Sequence, residues 1–153
     1  MTFHPGWIAL GSLLLTLPAT AVEPGIKIQV VGGTVTGLSK SNVRIDLTAS
    51  DSLVVQHDRT VFQVPYQKVN TLEYGQNVSR RYAEAVLLSP LFLLAKSRRH
   101  FVTLGYVDAD GKQQALVFRV AKGDIRSVLA SLEARTGRRV EFQDQEARKA
   151  GKG

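Results

Sequence analysis

The sequence predicts an α+β domain, an antiparallel β-sandwich or open barrel closed by one C-terminal amphipathic helix. Three observations carry that reading. Apolar and polar residues alternate with period two in successive segments between Ile26 and Val120, as they do in half-buried strands. Turn residues interrupt these segments about every ten positions, the rhythm of an antiparallel meander. The period then changes, with Ile125, Val128, Leu129 and Leu132 at i, i+3, i+4 and i+7, a single helical stripe. A chain of 153 residues with 44% apolar content suits one such domain and excludes a separate cofactor domain.

The elements follow in order. Residues 1–21 carry no charged side chain, and Trp7 to Leu17 form an apolar run ahead of Pro18 and Ala19-Thr20-Ala21. Eleven residues cover ~16 Å as a helix, too short for a hydrocarbon core of ~30 Å. The small-x-small pattern fits a signal peptide cleaved before Val22, which predicts export to the periplasm or cell envelope. Residues 22–33 form a leader and first strand, Ile26–Val30, ended or bulged at Gly32-Gly33. A second strand carries Val43, Ile45 and Leu47. Leu53–His57 and Thr60–Val64 follow, separated by a turn at Asp58-Arg59, and Val69 with Leu72–Tyr74 makes a short strand after Pro65-Tyr66.

Phe101–Val107 and Gln113–Val120 flank Asp108-Ala109-Asp110-Gly111, a hairpin with glycine where positive φ is needed. Asp124 is placed to cap the helix and Gly137 to stop it. Val140 and Phe142 suit a last short strand or docking segment. Residues 144–153 are polar and aperiodic, which predicts a disordered basic tail.

Between the fifth strand and the hairpin lies an insertion, residues 80–100. Ala85 to Ala95 is a charge-free run interrupted by Ser89-Pro90. Proline excludes a central strand and a continuous helix, whereas Ser89 as N-cap with Pro90 at N1 suits two short helical pieces. The insertion holds Arg80, Arg81, Lys96, Arg98 and Arg99 against Glu84, a net +4. Residues 135–153 hold a net +3, and the rest of the chain beyond residue 21 balances nine basic against nine acidic residues.

The strand order, the Val64-Pro65-Tyr66-Gln67-Lys68-Val69 step into Leu72-Glu73-Tyr74, and the closing helix resemble small bacterial pleckstrin-homology-like (GRAM-like) domains. Leu72-Glu73-Tyr74-Gly75-Gln76, Arg80-Arg81, Arg98-Arg99-His100-Phe101, Asp110-Gly111-Lys112 and Leu132-Glu133-Ala134-Arg135-Thr136-Gly137 are similar to segments of uncharacterised secreted bacterial proteins. The resemblance spans roughly residues 34–142, so 34–143 is read as the PH-like domain. It implies a barrel plugged by a helix, in a class that often binds lipid headgroups or peptides. No headgroup-binding pattern matches, so no site residue transfers from it.

Catalytic chemistry finds no support in the sequence. Zero Cys excludes a disulfide framework, a thiolate nucleophile and a Cys-based zinc site. His4, His57 and His100 are the only histidines, and none has metal-ligand spacing. Asp58 directly follows His57 but belongs to the opposite strand face. His100 reads as part of the basic surface, and Asp108 and Asp110 as turn formers. No P-loop, G-x-S-x-G, H-E-x-x-H or G-x-G-x-x-G occurs. Asn77-Val78-Ser79 matches a glycosylation acceptor weakly.

These observations predict a non-enzymatic exported module without cofactor or metal. It would bind an anionic membrane surface or a protein partner, or self-associate, through Arg80, Arg81, Leu87, Leu91, Phe92, Leu94, Lys96, Arg98 and Arg99. At a bilayer, burying four of the apolar side chains at roughly 1.5–3 kcal/mol each would outweigh the screened charge contribution. The alternative is a structural or oligomerising envelope domain with the insertion buried. Nucleic-acid binding is the remaining alternative to weigh with a pI near 10. It is disfavoured because the basics sit beside aliphatics rather than among aromatic stacking platforms.

Overall fold

The computed structural model describes residues 25–35, 37, 38, 40–76 and 99–152. The expected signal peptide, the glycosylation motif and Arg80, Arg81, Leu87, Leu91, Phe92, Leu94, Lys96 and Arg98 lie outside the described residues; Arg99 lies within them.

Among the described residues the architecture is α+β: an eight-stranded mixed sheet with two helices. In chain order the elements are β1 (Ile26–Gly33), β2 (Asn42–Asp46), β3 (Ser52–His57), β4 (Thr60–Pro65), a 3-10 turn (Tyr66–Lys68) and β5 (Val69–Gly75). After the insertion come β6 (His100–Val107), β7 (Gln113–Val120), α1 (Ile125–Thr136), β8 (Glu141–Phe142) and α2 (Gln145–Lys152). The sheet runs β4-β3-β2-β1-β7-β6-β5-β8. All pairings are antiparallel except β5 with β8, where Tyr74 lies opposite Phe142 in parallel register.

Period-two patterning explains the strands. In β2, Val43 and Ile45 are buried while Asn42, Arg44 and Asp46 face out; β3 buries Leu53 and Val55. Gly32-Gly33 does not end β1, which runs on to Gly33 with a register shift against β7 between Val30 and Gly32. The sheet curls back on itself. Flat, β4 and β6 would stand about 24 Å apart, five strand spacings of about 4.8 Å. Their Phe62 and Tyr106 rings instead meet edge to face at 6.3 Å. Inward side chains of both halves share one core, including Ile45, Val55, Leu72, Leu104 and Phe118.

Helix α1 buries Ile125, Val128, Leu129 and Leu132 in that core, the stripe that the sequence displays. Gly137 ends it at φ 66°, donating its N–H to the Glu133 carbonyl at 3.0 Å. Asp124 does not cap with its side chain. It is already helical (φ −98°, ψ −13°), because the chain turns earlier and the Asp124 and Ile125 N–H groups donate to the Ala121 carbonyl. A side-chain cap needs an extended residue there.

The disordered tail is also corrected, and a single closing helix becomes two. Asp144 Oδ1 accepts the Ala147 N–H at 2.6 Å, an N-cap that starts α2. Ala147 is buried in the core and Lys152 lies 5.6 Å from the Phe142 ring centroid. The buried face is built from alanines, Ala147 with Ala150 at i+3, so its helical pattern carries no large apolar side chain to mark it. The basic segment around α1 is partly structural as well. Arg135 donates to the Ala49 carbonyl at 2.7 Å, and Arg138 to that of Val69 at 3.1 Å.

Candidate functional site

The outward positions of β2, β1 and β7, with the start of β6, form a basic groove. Register builds it row by row. Lys27 is directly opposite Arg44, which is opposite Gln56. In the next row Asn42, Gln29 and Arg119 lie side by side across three strands. Arg99, His100 and Lys122 close the end of the groove, which encloses about 920 Å³. Among the described residues its charged lining is Lys27, Arg44, Arg99, Arg119 and Lys122 against Asp58.

Like charges directly opposite on neighbouring strands oppose sheet pairing. Lys27 and Arg44 hold that arrangement at the floor of a concavity, where field lines concentrate and local anion concentration rises. Polar amides of Gln29, Asn42 and Gln56 lie between the cations and can donate to the same ligand. This donor set suits an oxyanion carrying more than one negative charge.

His100 is more than part of the basic surface. Its Nδ1 lies 2.5 Å from the Tyr74 hydroxyl, and the two rings stack with centroids 6.0 Å apart. Burial raises the Tyr74 phenol above its ordinary value, so at neutral pH that hydroxyl keeps its proton and shares a hydrogen bond with the imidazole. Burial, with Lys122 adding to it, holds His100 below its ordinary 6.5. Between the folded and unfolded values the unfolded chain binds the extra proton, so stability is present above about 6.5 and is lost as pH falls through the folded value. Thermal unfolding should therefore show a Tm that declines as pH falls below about 6.5. In His100→Gln that decline should be shallower; an equal slope would remove His100 as its source.

The other titratable groups behave as structure. Asp108 Oδ1 accepts the Asp110 and Lys112 N–H groups at 3.0 and 2.8 Å, and Gln114 donates to Oδ2 at 2.6 Å. The Gln114 hydrogen bond leads in holding the Asp108 carboxyl below its ordinary value. These bonds belong to the hairpin turn, with Gly111 at φ 78°. Asp58 is not isolated from His57: φ of 52° in the turn brings its carboxylate within 3.7 Å of the imidazole. Among the described residues no three His, Asp or Glu side chains converge in a way that could hold a metal ion, and no helix is long and apolar enough to cross a membrane.

Of the contact residues predicted from sequence, Arg99 alone is placed, and it lies on the groove. Lys27, Arg44, Arg119 and Lys122 were missed because they fall in the stretches where basic and acidic residues cancel. Lys27, Arg44 and Arg119 share an outward-facing position in an alternating strand, visible only once register is known, and Lys122 lies in the turn after β7. Comparison with protein-family models and with curated proteins gives no match for this chain.

Proposed function

We propose that the chain is a non-catalytic, exported, PH-like module that docks on an anionic membrane surface through the groove of Lys27, Arg44, Arg99, Arg119 and Lys122. The observation that carries the reading is the convergence of five cations against one carboxylate in a single concavity. The PH-like assignment draws support from the meander order β4-β3-β2-β1-β7-β6-β5, the curl that brings β4 to β6, and the helix α1 filling the core. Export rests on the apolar run and small-x-small pattern of residues 7–21.

Cations near an anionic bilayer contribute about 1 kcal/mol each, so five amount to several kcal/mol before screening. β6 begins at His100, which with Arg99 lines one end of the groove. The protein should co-sediment with vesicles containing phosphatidylglycerol and ignore phosphatidylcholine vesicles. Retention should fall steeply between about 0.05 M and 0.5 M salt, as the Debye length shrinks. Equal retention on both vesicle types, or none on either, contradicts the proposal. Capture by an acidic protein without vesicle binding would point to a protein partner instead.

A further inference from the structure

We infer that β4 is the docking edge of the domain and that its partner is a second copy of this chain, joined antiparallel through β4 about a two-fold axis at Phe62. The inference stands apart from the proposed groove function. It begins from the two ends of the sheet. At one end β5 is covered by the short strand β8. At the other end, among the described residues, β4 pairs with β3 and with no further strand. An end strand presents unpaired backbone donors and acceptors, which proteins shield with charge, bulges or proline. Residues 60–64 carry no charge and no proline, and they pair with β3 without a register shift. Thr60, Val61 and Gln63 are exposed, and among the described residues Val61, at 58%, is the large apolar side chain left open.

Register shows which backbone groups point outward. The turn Asp58-Arg59 makes His57 and Thr60 a hydrogen-bonded pair, and such pairs alternate along the ladder. Thr60, Phe62 and Val64 therefore bond β3, while the N–H and C=O of Val61 and of Gln63 point away from it. Pro65 falls at the next outward position, where β3 does not need its missing N–H. The outward groups are self-complementary. A two-fold axis at Phe62 sets Val61 opposite Gln63 of the second copy, with two hydrogen bonds for each opposed pair. The half-buried Phe62 side chains then approach each other in the row between. An axis at Gln63 would instead leave the Val61 carbonyl facing the Pro65 nitrogen, which has no hydrogen. An axis at Val61 would need residue 59, which lies in the turn.

The choice of a second copy follows from this symmetry and from charge. The open edge is short, matches itself with no outward group of Val61 or Gln63 left over, and is neutral, so it offers nothing to select a partner of opposite sign. β4 contributes no residue to the groove lining. A strand of 6 residues, roughly 20 Å long, buries less than the ~800 Å² per partner of a standard interface. The dimer is therefore weak and fills at high local concentration.

In sedimentation of the full chain the mass should rise from monomer at about 10 μM towards dimer at about 1 mM. The rise should be larger at higher salt, which screens the repulsion between two chains of net charge +7. Gln63→Pro removes an outward N–H and leaves the bonds to β3 in place; Val61→Lys sets a charge on each side of the axis. Each should weaken the dimer at least about tenfold while keeping the wild-type circular dichroism, and Val61→Lys decides if Gln63→Pro misfolds. The absence of native cysteine allows a test of register. When Val61→Cys and Gln63→Cys proteins are oxidised together, the disulfide between positions 61 and 63 should exceed the 61–61 and 63–63 products at least about fivefold. Directly opposed Cα atoms lie about 5.5 Å apart, whereas the diagonal pairs at about 7–8 Å are beyond disulfide reach. A chain that stays monomeric at about 1 mM overturns the inference, as does association that neither variant weakens. Growth past the dimer, weakening by salt, or a statistical mixture of the three disulfides overturns it as well.

Discussion

Leu132→Ala should lower stability by about 2–5 kcal/mol, the range for removing a fully buried leucine with partial collapse of the cavity. Leu132 is 1% exposed at the end of the α1 stripe; Arg135 ties the helix to the β2–β3 loop, and Arg138, just past its end, bonds the Val69 carbonyl of β5. At roughly 2–4 °C per kcal/mol for a domain of this size, Tm should drop by about 5–20 °C. Val61→Ala provides the contrast. Val61 is 58% exposed, and its truncation should move stability by less than about 0.5 kcal/mol. Similar losses from both substitutions in denaturant unfolding would contradict the placement of α1 in the core.

Ala147→Asp is the second large effect. A carboxylate forced into the site of a fully buried methyl is left without a partner, at a cost of about 2 kcal/mol or more. The flanking exposed residues Arg148 and Lys149 should accept the same replacement within about 0.5 kcal/mol. A disordered tail would tolerate all three equally, so the ranking in thermal unfolding decides whether α2 is part of the fold. Asp144→Ala should cost about 1 kcal/mol through loss of the cap on Ala147.

What could be read in advance follows from which physical signal each element left in the chain. The strands and α1 were legible because each buries large apolar side chains on one side only. Leu53 and Val55 on one strand, and Val128, Leu129 and Leu132 on the helix, write the period directly. The hairpin was legible through Gly111 and Asp108, whose turn roles are local. Helix α2 left little trace because Ala147 does for it what several leucines do for α1. Asp124 misled because capping depends on the backbone of the preceding turn, which side-chain identity does not reveal.

The groove was hidden for a different reason. Its cations come from positions 27, 44, 99, 119 and 122, and counting charge along the chain averages each with nearby acids. Pairing of Gln29 with both Asn42 and Arg119 is a tertiary fact. The buried faces of β6 and β7 carried a partial warning. Leu116-Val117-Phe118 is a continuous apolar run, the pattern of a strand covered on both sides, although alternation was the expected rule.

Position, rather than net charge, is the central claim, and one pair of variants separates the two. Lys27→Glu with Arg44→Glu and Arg119→Glu reverses three groove cations. Lys68→Glu with Arg126→Glu and Arg139→Glu makes the same change in net charge at exposed residues away from the groove. Affinity for phosphatidylglycerol vesicles should fall by roughly a hundredfold or more in the groove variant, at about 1 kcal/mol for each lost cation, and only a few-fold in the control, with both variants folded by circular dichroism. Equal losses in the two variants would contradict the account, because binding would then follow the total charge of the chain and not the groove.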